Sequence, residues 1–322
     1  MSSLTAGIAP LARRVPLGRT GLLVSPLGLG GAWIGQTADG VQDELAVRTV
    51  VRAVELGINL IDTSGAYQRG ESERRIGLAL DELRRRGVRR EDLVIGSKTG
   101  TRTRPPDYSG DGTERSIEAS LNALRTDYLD IALVHDPGAL EPVLAPGAAL
   151  DRLQKLKEQG VVRAIGLGVR DRSFHCRLIE SGRIDVSLTY RDYNLLYRQA
   201  ADELLPAAAA HGVGVLNGMA VLGGLLSGRE PLAVADELNS PELGARHNIY
   251  RTRGTEAQRA RAFWEFARER GVPLLAMNLQ FIFRESRIAS TLLGAASPEE
   301  IEEDVRMSQI PLPPDLWEAL AS

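Results

Sequence analysis

Short apolar runs alternate with longer amphipathic stretches along the whole chain. The runs occupy 25–29, 58–62, 93–98, 131–135, 164–168, 186–189, 213–216 and 291–294. Several lack the polar alternation of a half-exposed strand, which suits parallel strands buried on both faces. Between them the apolar spacing turns helical. Over 43–56 the residues Leu45, Val47, Val50, Val51, Val54 and Leu56 recur along the stretch, and Gly57 follows as a stop. Further helices are predicted over 71–86, 113–125, 150–159, 200–210, 256–270 and 273–283. Strands alternating with helices imply βα units, closed as a barrel or wound as an open sheet. Periodicity alone does not separate these two. No G-x-G-x-x-G follows the first run, which counts against a dinucleotide-binding open sheet. Two stretches, 101–112 and 229–254, read as long loops after strands, and long loops are usually functional.

Composition narrows the picture without redirecting it. At 322 residues, with 43% hydrophobic and 25% charged residues, the chain can bury a large core. Residues 1–16 read as a flexible lead-in and 17–322 as one barrel domain. The net charge of -3 gives no reason to expect nucleic acid or a membrane surface as partner. No segment approaches the roughly 18 apolar residues that span a bilayer. A single cysteine, Cys176, excludes an intrachain disulfide and fits a reducing cytoplasm. It reads as a packed thiol, and His175 and His211 read as surface or packing residues on helices. No metal-ligand motif stands out, and the sequence carries no signature of an oligomeric state.

Four polar residues stand at or just past the ends of successive strand runs: Asp62, Tyr67, Lys98 and His135. Each alone reads as a surface residue. In a barrel, consecutive strands would bring all four into one pocket. Carbonyl reduction by hydride needs a proton donor to the developing alkoxide. Tyr67 can serve if Lys98 lowers its pKa, with Asp62 holding the lysine and His135 binding the oxygen.

The wording of these segments resembles the aldo-keto reductase family. Residues 57–77, GINLIDTSGAYQRGESERRIG, keep the family's spacing between its Asp and Tyr. IGSKTG at 95–100 and YLDIALVHDP at 128–137 resemble the strands that carry its Lys and His. The likeness continues through 153–160, 223–228 and 293–304. It implies a (β/α)8 TIM barrel and an NAD(P)-dependent oxidoreductase acting on a small-molecule carbonyl or hydroxyl. In that reading Tyr67 is the acid in reduction and the base in oxidation. Within the family the chain is most similar to the sugar 1-dehydrogenase branch, on the stretches LGRTGLLVS at 17–25, DVSLTY at 185–190 and LLPAAAAHGVGV at 204–215. An aldose oxidised at C1 is therefore the implied substrate. An NADPH-dependent aldehyde or ketone reductase is the alternative, and a non-catalytic nucleotide-sensing subunit is an alternative of another class.

Departures from the family pattern are equally specific. Gly168 and Val169 stand where Ser-Asn usually holds the nicotinamide amide. Tyr190 replaces a Gln, and Gly218 replaces a stacking aromatic whose place Tyr190 or Tyr193 can take. Where NADP-binding members carry a Lys-Ser pair and an Arg, this chain has Gly294, Ala295 and Glu300. A carboxylate accepts from ribose hydroxyls and repels a 2′-phosphate, so NAD is the expected cofactor unless Arg229, Arg251 or Arg253 intervenes. The expected cofactor contacts are Gly31, Ala32, Asp62, Tyr190, Gly218, Gly223, Leu225, Ser227, Gly294, Ala296, Glu300 and Asp304. Trp33 is expected to wall the substrate pocket beside Tyr67 and His135, with Tyr108 at its mouth. Arg102 and Arg104 are candidates for a polar substrate.

Overall fold

In the computed structural model, which describes residues 11–37, 40–241 and 251–321, the apolar runs become parallel strands. They are β1 Leu27–Gly30, β2 Leu60–Asp62, β3 Val94–Thr99, β4 Leu129–His135, β5 Val162–Gly168, β6 Val186–Tyr190, β7 Gly214–Gly218 and β8 Ile288–Gly294. Each pairs with the next, and β8 returns to β1, so the sheet closes as an eight-stranded barrel. The closing register sets Thr291 beside Leu27 and Gly294 beside Gly30. Closure explains why these runs carry no polar alternation. One side of each strand faces the barrel interior and the other faces a helix.

The helices that cover the barrel are α1 Asp43–Glu55, α2 Glu71–Arg85, α3 Gly110–Leu124, α4 Ala149–Glu158, α5 Arg172–Glu180, α6 Leu204–His211, α7 Leu274–Phe283 and α8 Pro298–Gln309. The main apolar layer lies between them and the strands, with Val50, Ile76, Ile117, Leu153, Leu178, Leu205, Leu279 and Ile301 among its buried residues. A separate interior cluster holds Leu60, Ile131, Leu133, Val186, Leu216 and Leu292 from the strands. Leu17, Leu22 and Val24 join it from an N-terminal hairpin, in which Val15–Pro16 pairs with Leu23–Val24. The hairpin closes the barrel floor, and among the described residues the opposite end, where the strands terminate, is the open mouth.

Several boundaries differ from the sequence reading. Residues 11–16 of the expected lead-in are tied down: Leu11 N–H donates to Leu56 O at 2.8 Å, and Val15 enters the hairpin; residues 1–10 lie outside the described residues. The loop after β3 is shortened because Ser109 caps α3, its hydroxyl accepting from Gly112 N–H. The expected loop over 229–254 contains a helix, Pro231–Asn239, started by Pro231 and capped by Glu230; its residues 242–250 lie outside the described residues. Helix α8 was not among the predicted helices, although Ser297 caps it and Pro298 occupies its first turn.

Candidate active site

Three consecutive strands deliver the polar cluster. Asp62 ends β2, Lys98 lies near the end of β3, and His135 ends β4. Register places Asp62 beside Gly96, which lacks a side chain; a Cβ there would lie 3.5 Å from Asp62 Oδ1. That bare position lets the carboxylate reach across to Lys98. The ammonium then spends its three protons inside the protein. Lys98 Nζ donates to Asp62 Oδ2 at 2.5 Å, to Thr63 O at 2.8 Å and to Tyr67 Oη at 3.2 Å. Tyr67 follows in the β2–α2 loop, its ring 4.7 Å from Lys98 Nζ and edge-on to His135 at 5.7 Å between centroids. The four residues read from sequence therefore meet in one place.

Lys98 pulls the Tyr67 pKa down, as the sequence reading has it, but desolvation of the phenolate outweighs that pull, so the phenol sits above its ordinary value. Burial also pushes Asp62 up against the pull of Lys98. Despite its own burial, Lys98 rises to about 12 through Asp62 and Tyr67, so it remains charged. His135 is held well below the usual imidazole value by burial and by Lys98, and is neutral. Its Nδ1 lies 2.6 Å from Thr101 Oγ1 and 3.2 Å from Ser64 Oγ. On the other side, Nε2 lies 3.6 Å from Asp136 Oδ2, a group that only accepts. The carboxylate beside Nε2 favours the ring proton there, and in that tautomer the Thr101 and Ser64 hydroxyls can donate to Nδ1. The site thus holds a neutral phenol, a neutral imidazole donor and a buried cation.

A further network braces the loop that carries Tyr67. Glu73 on α2 is fully buried and accepts from Ser97 Oγ at 2.6 Å and from Arg102 at 2.5 Å. The Arg102 guanidinium also donates to Ser120 Oγ and lies over Gly65, where a Cβ would come within 2.4 Å of its central carbon. Arg102, a sequence candidate for substrate contact, is therefore turned inward to clamp the β2–α2 loop; Arg104 is exposed. Tyr108 also takes another task. Its hydroxyl lies 2.9 Å from His135 O and 3.0 Å from Asp136 O, pinning the end of β4 instead of pointing into the opening.

The rest of the mouth has the opposite character. Strands β1, β5, β7 and β8 end in Gly30, Gly168, Gly218 and Gly294. Half the rim consequently carries no side chain from the strands' last residues, leaving room for a flat ring against bare backbone. At Gly218 a Cβ would meet Tyr190 Cβ at 3.1 Å, so the lost aromatic of β7 makes space for Tyr190 of β6. Tyr193 is turned away and stacks on Phe281 at 5.6 Å. Val169 is buried in the outer core, and its carbonyl faces His175 Nε2 at 2.8 Å.

The sequence pattern of the Aldo/keto reductase family matches residues 26–322. The chain belongs to the aldo/keto reductase family. It is 31% identical over 294 residues to an L-galactose dehydrogenase of Arabidopsis thaliana, covering 90% of this chain and 86% of that protein. It is 26% identical over 325 residues to a D-threo-aldose 1-dehydrogenase of a Pseudomonas species, covering 94% of each. Among solved structures it is similar to the holo form of an aldo-keto reductase from Bacillus halodurans, with a TM-score of 0.75, 25% identity, and 96% and 95% of the two chains covered. The (β/α)8 barrel and the oxidoreductase class expected from the sequence hold.

Aldo/keto reductases use nicotinamide cofactors, and the glycine half of this mouth fits one. The expected contacts divide on placement. Gly31, Ala32 and Trp33 form a short 3-10 turn after β1, and Trp33 leans against Gly294, whose Cβ would meet its ring at 3.0 Å. Trp33 therefore stands at the β1–β8 side of the mouth. Gly223 (φ +70) lies in a turn after β7, and the Ser227 hydroxyl donates to Gly224 O within the same loop. Leu225 is 1% exposed and its side chain packs in a core cluster, which leaves its backbone as the part that faces the loop surface. A groove of about 360 Å³ runs between Ser227, Arg229, Leu274, Glu303 and Met307. Glu300 is exposed, and its Oε2 accepts from Ala296 N–H at 2.8 Å. Arg229, one of the three arginines that could intervene, pairs with Glu237 of the added helix.

Sequence reasoning passed over Ser64, Glu73, Thr101 and Asp136. Ser64, Thr101 and Asp136 stand within three residues of a predicted site residue, and Glu73 is one of the two glutamates of the quoted 57–77 segment. That adjacency was the available signal.

Proposed function

We propose that this aldo/keto reductase oxidises an aldose at C1 and prefers NAD over NADP. The observation that carries the chemistry is the Tyr67 hydroxyl 3.2 Å from Lys98 Nζ beside the neutral His135 donor. Bound nicotinamide supplies or accepts the hydride. In oxidation the Tyr67 phenolate, stabilised by Lys98, takes the proton of the substrate hydroxyl. In reduction the phenol returns that proton to the developing alkoxide. His135 Nε2–H orients the reacting oxygen, and Asp62 holds Lys98 in position. Similarity to two proteins named as sugar dehydrogenases supports the aldose.

For the cofactor, two cations of NADP-binding relatives are replaced by Gly294 and Glu300, and Arg229 is already paired. Glu299 and Glu300 make the first turn of α8 acidic, which disfavours a 2′-phosphate. The test is turnover of a panel of aldoses with NAD against aldehydes with NADPH. Aldose oxidation with NAD, and a shift of kcat/KM toward NADP in Glu300→Arg, are expected. A wild-type preference for NADP removes the cofactor reading. One observation favours the reductase alternative: the raised Tyr67 pKa keeps the phenol protonated at neutral pH. A regulatory, non-catalytic role is disfavoured by the intact four-residue cluster.

A further inference from the structure

Asp136 lies immediately after β4 and enters none of the proton chemistry above. Its backbone is left-handed, with φ +42. Aspartate is among the few residues other than glycine that adopt this region, and such strain persists only where the surroundings impose it. Here they do. Asp136 N–H donates to Gly168 O at 2.8 Å, and Tyr108 Oη sits against the carbonyls of His135 and Asp136, one on each side of the Asp136 Cα. The side chain is aimed as firmly. Oδ1 accepts from Tyr190 Oη at 3.0 Å. Oδ2 faces His135 Nε2 at 3.6 Å, too far for a hydrogen bond. His135 is neutral, and the protons of Lys98 are spent on Asp62, Thr63 and Tyr67. Asp136 Oδ2 therefore has no donor at hydrogen-bond distance among the described residues, while the side chain stays 42% exposed at the mouth.

We infer that Asp136 selects substrate, its Oδ2 accepting a hydrogen bond from a hydroxyl on the carbon next to the reacting one. The donor His135 Nε2–H and the acceptor Asp136 Oδ2 lie side by side. Together they match an α-hydroxy carbonyl or the corresponding diol, in which one oxygen accepts and its neighbour donates. A simple aldehyde fills the donor and leaves the carboxylate oxygen unsatisfied, at a cost set by its partial desolvation. A substrate with a carboxylate at that carbon is repelled. The inference rests on the proposed redox chemistry at Tyr67 and deepens it, but does not require that the substrate be an aldose.

The experiment compares reduction of lactaldehyde, which carries the adjacent hydroxyl, with reduction of propanal, which lacks it, using NADH. The enzymes are wild type, Asp136→Asn and Asp136→Gly. Both substitutions tolerate the left-handed backbone, so each variant is expected to fold. In wild type the kcat/KM ratio should favour lactaldehyde by about tenfold or more. In Asp136→Gly that ratio should collapse toward one. Asp136→Asn, whose amide oxygen still accepts, should fall between. A wild-type ratio near one, or the same ratio in wild type and Asp136→Gly, overturns the inference, as does no turnover of either aldehyde. The aldose reading fails separately. It falls if wild type discriminates the two aldehydes as described yet oxidises no aldose with NAD.

Discussion

Tyr67 is a half-buried phenol whose nearest charge is an ammonium already shared with a carboxylate, and its proton sits between those influences. Tyr67→Phe keeps the ring and its edge contact with His135 and removes the proton. We expect a loss of kcat of at least about 10²-fold, the ordinary size of a general acid–base contribution, with cofactor affinity measured by titration little changed. Burial raises the phenol above its usual range. Reduction, which needs the phenol, should therefore persist through neutral pH and fall only as the medium becomes strongly alkaline. Oxidation, which needs the phenolate, should rise with pH over the same range. Paired pH profiles of kcat/KM in the two directions check this; parallel profiles would remove Tyr67 from the proton step. At this scale the sequence was informative where a residue's place follows from strand order. Asp62, Lys98 and His135 lie at or near strand ends whatever the loops do. Asp136 and Thr101 depend on loop dihedrals and on which way a backbone turns, and Arg102 reads as a solvent-facing cation until Glu73 and Gly65 are seen beneath it.

Helix α8 shows the same limit at the scale of an element. Its apolar residues Ile301, Val305 and Met307 are buried, but they lie within an acidic run that masks the periodicity. The strand runs were legible because burial on both faces leaves them uniformly apolar, and α1 because its apolar stripe is dense. Within α8, Asp304 is pushed up to about 8 by burial and by Glu300 and Glu303. A carboxyl whose folded pKa exceeds its unfolded value holds its proton only in the fold between those two values. Stability then falls as pH rises through that window. Asp304→Asn keeps the shape and removes the titration. Its melting temperature should match wild type near pH 4 and exceed it at pH 8.5. Equal offsets at both pH values would show that Asp304 is not the group responsible.

For the whole molecule, the barrel has a sealed floor and an open mouth, and the seal comes from the first described residues. Leu17 is fully buried against strands made much later in the chain, and Arg19 donates to His211 O and Ile184 O. Leu17→Ala should cost about 2–5 kcal/mol, the usual range for a buried leucine, read from urea unfolding. KM should be unchanged, because the floor is at the far end from Tyr67. A loss under about 0.5 kcal/mol, the level of an ordinary surface substitution, would mean that the hairpin is dispensable to the barrel.

The join between β8 and β1 carries a consequence for biosynthesis. The first strand leaves the ribosome with one hydrogen-bonding edge satisfied by β2 soon afterwards. Its other edge waits until Gly294 has been made, since only then does Thr291–Gly294 come to lie beside Leu27–Gly30. Throughout translation the nascent chain thus holds an unpaired, apolar strand margin of the kind that recruits neighbouring chains. Yield in a cell should accordingly depend on holding factors that shield the N-terminal half until the last strand arrives.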